Sequence, residues 1–160
     1  MSSRIQVMPA TVDHLPQLSE YWYDAMALRQ QHQPLRLKPR ARQHWESAAT
    51  TWIHDESTFF SIATVNDSIR GCVAVGLVDN APGLLPDQIG TLLDFTLDMH
   101  ATDAAGGIGR ELIRAAQAWL VAQGVATLRA YISQPSSVER AFWIALGAKQ
   151  KGIVYCLPIG

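Results

Sequence analysis

Apolar positions keep a helical spacing over the first third of the chain, then change to a strand-like one. Leu15, Leu18, Trp22, Ala25 and Met26 recur at 3- and 4-residue intervals, which predicts an amphipathic helix. It starts near His14, with Asp13 as N-cap and Pro16 in the first turn, and ends before Pro34. Trp45, Ala48, Ala49 and Trp52 predict the buried stripe of a second helix over Ala41–Asp55. A short strand, Ile5–Met8, precedes both and is closed by Pro9.

From Thr58 the period changes. Thr58–Val65 and the valine-rich Ile69–Val78 flank the turn residues Asn66-Asp67-Ser68, which predicts a hairpin. Residues 79–90, with Pro82, Gly83, Pro86 and Gly90, predict an irregular connection. A further strand leads through Leu92-Leu-Asp-Phe-Thr-Leu97 into Gly106-Gly-Ile-Gly109, followed by a helix over Arg110–Gln123 that Gly124 stops. Val125–Ile132 reads as a strand, Ser136–Leu146 as a short helix ended by Gly147, and Lys149–Leu157 as a final alternating strand. The order β-α-α-β-β-β-α-β-α-β predicts an α/β chain, a mixed sheet with helices packed on it.

Length changes the picture little: 160 residues make one domain, 1–160, able to bury a core without disulfides or metal. Net charge −1 gives no electrostatic reason to expect nucleic acid or an anionic membrane. Cys72 and Cys156 lack CxxC spacing and predict neither a disulfide framework nor a zinc site; Cys72 reads as a small core residue. No apolar run is long enough for a signal peptide or a membrane span, so a cytoplasmic location is expected.

The glycine loop carries the chemistry. Gly106, Gly107 and Gly109 let backbone amides approach a ligand, and the following helix adds the positive end of its dipole. Together they predict an anion site, phosphate being the usual occupant. No Gly-Lys-Ser/Thr follows the loop, which disfavours a nucleotide-binding P-loop.

Pro9-Ala-Thr11 through Leu18 and Trp22, the hairpin ending Val73-Ala-Val-Gly76, the Gly-Gly-Ile-Gly loop and Ala141-Phe-Trp-Ile-Ala-Leu-Gly147 lie in an order that resembles the GNAT superfamily of acyl-CoA-dependent N-acetyltransferases. The resemblance spans nearly the whole chain and implies a GNAT-like fold, a central splayed sheet with helices on both faces. It implies acetyl-CoA as cosubstrate, no metal, and transfer of acetyl to a primary amine by direct attack. The cofactor-binding set it carries over is Leu97, Asp98, Met99, Ala104, Ala105, Gly106, Gly107, Ile108, Gly109, Arg110, Ser136 and Trp143. Backbone of Leu97–Met99 would hold the pantetheine arm, amides from about Ala105 to Arg110 the pyrophosphate, and a bulge amide near Met99 the oxyanion. The chain departs from the pattern in three places. Ala104 stands where Arg or Gln is usual, and Ser136 stands for an asparagine. Trp143 replaces the tyrosine that protonates the thiolate, leaving Tyr131, Tyr155 or water for that task.

An ammonium acceptor must lose a proton before it attacks. Asp94 and Asp98 lie four apart on the strand beside the loop and share a face if the strand is regular; Phe95, Leu97 and Met99 then face the core. His100, at the strand end, has a suitable intrinsic pKa, although a loop histidine is more often simply solvated. The candidate catalytic residues are therefore Asp94, Asp98, His100 and Tyr131. Arg36, Lys38 and Arg40 form either a solvated basic loop or an attractor for acidic ligands. A small-molecule or peptide amine is the expected partner, with a homodimer allowed by an exposed final strand. The rival expectation is a non-catalytic acyl-CoA-binding or regulatory domain of the same fold.

Overall fold

Four strands pair in the order in which the chain makes them. The computed structural model describes residues 4–101, 107–132 and 136–160. In it β1 (Ile5–Pro9), β2 (Thr58–Val65), β3 (Ser68–Asp79) and β4 (Gln88–Leu97) are successive antiparallel neighbours, and β5 (Leu128–Arg129) adds to β4 in parallel. The helices are α1 (Leu15–Gln30), α2 (Ala41–His54), α3 (Ile108–Ala122) and α4 (Ser137–Ala145). The hairpin turn places Asn66 and Asp67 at φ 50° and 62°, the left-handed values that match strand twist and that Asn and Asp tolerate.

The sheet is covered on both sides, which explains why β2 and β3 read as nearly continuous apolar runs. On one face α3 lays Leu112, Ile113, Ala116 and Leu120 against Ala63, Val65, Val73 and Val75. On the other, Leu15 and Leu18 of α1 and Trp45 and Ala49 of α2 meet Phe60, Ile62, Cys72 and Ala74. Gly124 and Gly147, at φ +74° and +89°, end α3 and α4 as expected of C′ glycines.

Several boundaries differ from expectation. A 3-10 turn at Val12–His14 precedes α1, and it is capped by Thr11, whose backbone N–H donates to His14 Nδ1 at 3.0 Å, so Asp13 is not the cap. Strand β4 begins at Gln88, inside the predicted irregular connection, because Val78 and Asp79 offer ladder partners there. Strand β5 shrinks to two residues, and Val125 is buried in the core instead of entering a ladder. Lys149–Leu157 is not a strand: Ile153, Tyr155 and Leu157 are exposed, and the short β5 provides no edge long enough to template nine residues.

Candidate active site

The site begins with a strand that parts from its neighbour. β4 meets β5 only at Gly90↔Leu128 and Thr91↔Arg129, whereas its pairing with β3 continues to Leu97. The β3–β4 register runs Val75↔Leu92 and then Ala74↔Asp94, so Leu93 is a surplus residue forming a bulge. A bulge bends its strand and increases local twist, in the direction needed to open a wedge. Beyond it the Asp98 N–H donates to Arg70 O at 2.8 Å. Antiparallel pairing alternates, so the N–H and C=O of Phe95 and Leu97 turn away from β3, toward the wedge. The bulge therefore lies at Leu93, six residues before Met99, which is exposed past the end of the strand.

A cleft of about 810 Å³ occupies this opening. Trp22, Met26 and Arg29, spaced four and three apart on α1, form one wall, and Glu139, Phe142 and Trp143 of α4 form another. Leu93 and Asp94 of β4 contribute to the floor, with Gly109 of α3 and Tyr131 also lining the space. Arg29 and Glu139 form an ion pair from α1 to α4, joining residues 110 apart in sequence.

Asp94 is the cleft's half-buried carboxylate. The bulge turns it toward the α1–α2 side, where its Oδ2 accepts from Thr96 Oγ1 at 2.9 Å and from Cys72 Sγ at 3.5 Å. The buried Trp45 indole N–H finds no partner in hydrogen-bond geometry, yet it is near enough to Asp94 to favour the charged carboxylate. Burial nevertheless prevails and pushes the Asp94 pKa up to about 6, with Thr96, Cys72, Trp45 and Arg29 limiting the rise. Burial, reinforced by the Asp94 charge, pushes the Cys72 thiol well above its ordinary value. Cys72 is thus a protonated donor to Asp94, not a nucleophile.

Asp94 and Asp98 do share a face, because the bulge precedes both, but only Asp94 reaches the cleft. Asp98 pairs with Arg70 at 3.3 Å and accepts from the His100 N–H at 3.0 Å. The His100 ring is exposed and lies 3.8 Å from Asp24. Tyr131, 70% exposed, borders the cleft, whereas Tyr155 does not.

Of the cofactor set, Ala104, Ala105 and Gly106 lie outside the described residues. Gly107 is the N-cap of α3, and Ile108 buries its side chain in the α3-side core, leaving only backbone to a ligand. Gly109 has a packing reason to be glycine. A Cβ there would stand 3.0 Å from Phe95 Cζ and 3.2 Å from Phe142 Cε2, two rings stacked at 5.5 Å. The Arg110 side chain is exposed at the first turn of α3. Ser136 caps α4, its Oγ accepting from the Glu139 N–H at 3.3 Å. Trp143 is 8% exposed and packs on Phe95 and Phe142. Lys38 and Arg40 border a separate depression of about 790 Å³ with Tyr23 and Arg42.

Sequence reasoning missed Arg29, Glu139, Thr96 and the contact of Cys72 with Asp94. Only the last two carried a local signal, as polar or small residues placed among apolar strand positions.

No family model and no curated protein matches the chain. Solved structures do. A predicted acetyltransferase with acetyl-CoA from Clostridium acetobutylicum aligns at TM-score 0.77 and 11% identity, over 97% of this chain and 96% of its own. A GCN5-related N-acetyltransferase from Ralstonia eutropha gives 0.73 and 16%, over 98% and 99%. An aminoglycoside antibiotic 6'-N-acetyltransferase from Acinetobacter haemolyticus gives 0.72 and 13%, over 97% and 99%. The architecture is therefore the GNAT fold, with a mixed five-stranded sheet and helices on both faces. Among the described residues no helix is long and apolar enough to cross a membrane, and no three His, Cys, Asp or Glu gather as metal ligands.

Proposed function

We propose that the protein transfers an acetyl group from acetyl-CoA to a primary amine. The observation that carries this reading is the edge of β4 at Phe95 and Leu97, beyond its pairing with β5, opening onto a cleft whose half-buried carboxylate is Asp94. The residues present fit the cofactor. The Phe95 and Leu97 backbone groups suit the amides of a pantetheine arm, and the α3 N-terminus at Gly107–Ile108 suits its phosphates. Bound acetyl-CoA supplies an acyl carbon activated as a thioester.

The chain's own residues do the rest. Asp94, ionised above pH about 6, accepts the proton of the incoming ammonium. Thr96 and Cys72 hold its Oδ2 in place by donating to it. The Tyr131 hydroxyl, at the edge of the cleft, is the donor for a departing thiolate in place of the tyrosine that Trp143 replaces. The rings of Phe142, Trp143 and Trp22 give the space between an apolar lining.

Calorimetric titration with acetyl-CoA, using ATP and NAD as controls, tests cofactor binding; selective micromolar binding is expected. Release of free thiol on adding an amine then tests transfer. The buried, non-titrating Trp143 favours a second reading, a binding domain without catalysis. Acetyl-CoA binding with no thiol release from any amine would select that one.

A further inference from the structure

The charge inventory of the cleft points to the class of acceptor, an inference that rests on the acetyl-transfer reading. Among the described residues, its charged or hydroxyl-bearing lining side chains are Arg29, Asp94, Tyr131 and Glu139. Arg29 and Glu139 already neutralise each other as an ion pair. Asp94 remains as the one carboxylate available to face a cation. The surrounding surface is apolar and largely aromatic, from Trp22, Met26, Leu93, Val138, Phe142 and Trp143.

We propose that the acceptor is a primary amine carrying one positive charge on a bulky apolar body, and not a polycation. One ammonium can sit against Asp94, where it meets a counter-charge that also takes its proton. The apolar remainder then covers the rings and aliphatic chains of α1 and α4, in the arrangement most ligand pockets use. A polyamine or an aminoglycoside would bring further ammonium groups into the same space. Each would be stripped of water beside Trp22, Met26 or Phe142 with no unpaired carboxylate among the described lining residues to receive it, and an uncompensated charge is costly to desolvate. Arg29 adds to this exclusion. Its guanidinium is close enough to lower the Asp94 pKa, so it also repels a second cation there. This cleft thus differs in chemistry from what a site for a polycationic antibiotic requires, although one structural neighbour is named for acting on an aminoglycoside.

The test compares 2-phenylethylamine, spermidine and kanamycin as acceptors, with thiol release from acetyl-CoA followed at pH 8. The expected kcat/KM for 2-phenylethylamine is at least about 10-fold above both polycations, the penalty for one unpaired ammonium. Met26→Glu adds a second carboxylate to the α1 wall and should raise use of 1,4-diaminobutane relative to 2-phenylethylamine. Equal or better turnover of spermidine or kanamycin by the unmodified protein would overturn the inference while leaving acetyl transfer intact. If no amine releases thiol, the acetyl-transfer reading fails instead, and the binding preference is read from the intrinsic tryptophan fluorescence, compared with that of Trp22→Phe, which removes a cleft-lining indole. Saturable quenching by 2-phenylethylamine, and not by spermidine, upholds the inference; the reverse, or no quenching by either, ends it.

Discussion

The two faces of one sheet do different work. Against α3 the sheet presents Ala63, Val65, Val73 and Val75, which meet the aliphatic Ile108, Leu112, Ile113 and Leu120 of the helix, with the rings of Phe59, Trp119 and Trp143 completing an apolar cluster. Against α1 and α2 the same strands present Ile62 and Ala74, but also Cys72, Thr96 and Asp94, under a tryptophan whose N–H lacks a full partner. The described core residues of the first face include no carboxylate, so their packing converts into stability. The second face holds a carboxylate at a pKa near 6, a cost to the folded state that makes sense as chemistry. The difference shows that burial alone does not define a core: one side is packed for stability and the other is arranged around a charge.

Removing the charge should separate the two roles most sharply. Asp94→Asn is expected to lower kcat by roughly 100-fold or more, the range for a lost general base, measured as thiol release at saturating amine. Its effect on stability runs the opposite way. The folded pKa of about 6 lies above the model value of 3.8, so the folded state binds the proton more tightly. Stability from this group is present below pH 3.8, falls as pH rises to about 6, and is lower by about 3 kcal/mol above that. Asp94→Asn should therefore melt above the parent protein at pH 8 and converge with it near pH 4, as read by calorimetry.

On the α3 face the expected result is the mirror image. Leu112→Ala, at a fully buried position, should cost about 3 kcal/mol and lower the melting temperature by roughly 10 °C, with kcat of the protein that remains folded unchanged. Thr96→Val sharpens the contrast within the polar face. Loss of a donor to the carboxylate raises the Asp94 pKa further, so the acid limb of the kcat/KM profile should move upward by about one pH unit. Glu139→Gln is the gentlest change. The Arg29–Glu139 pair is partly exposed, so breaking it should cost only about 0–1 kcal/mol in chemical denaturation.

How much of this was legible in the chain follows the range of each interaction. Helical stripes and the Asn66-Asp67 turn are local, and α1, α2, α3 and the hairpin appear within a few residues of where period and capping place them. The alternation of Ile153, Tyr155 and Leu157 is also local, yet a strand needs a partner, and nothing nearby in sequence reveals that β5 is two residues long. Asp94 could be named from its place on a central strand. Its environment could not, since Cys72 and Trp45 come from 22 and 49 positions upstream, on other elements. The bulge at Leu93 has no sequence mark: three apolar and one acidic residue fit a regular strand equally well, and only the register against β3 reveals the surplus one. The Arg29–Glu139 pair spans 110 positions, beyond the reach of any motif.

The chain-order pairing of β1 through β4 also has a consequence for biosynthesis. By the time the ribosome has finished β4, the meander and both helices of the polar face have been made, whereas α3 is still to come. At ordinary elongation rates the 25 residues from Leu97 to Ala122 take about 1–5 s, and for that interval Val65, Val73 and Val75 have no cover. The nascent chain thus has the carboxylate of its cleft framed before its apolar α3-side surface is shielded. It is most vulnerable to aggregation, and most in need of a chaperone, during the few seconds before α3 emerges.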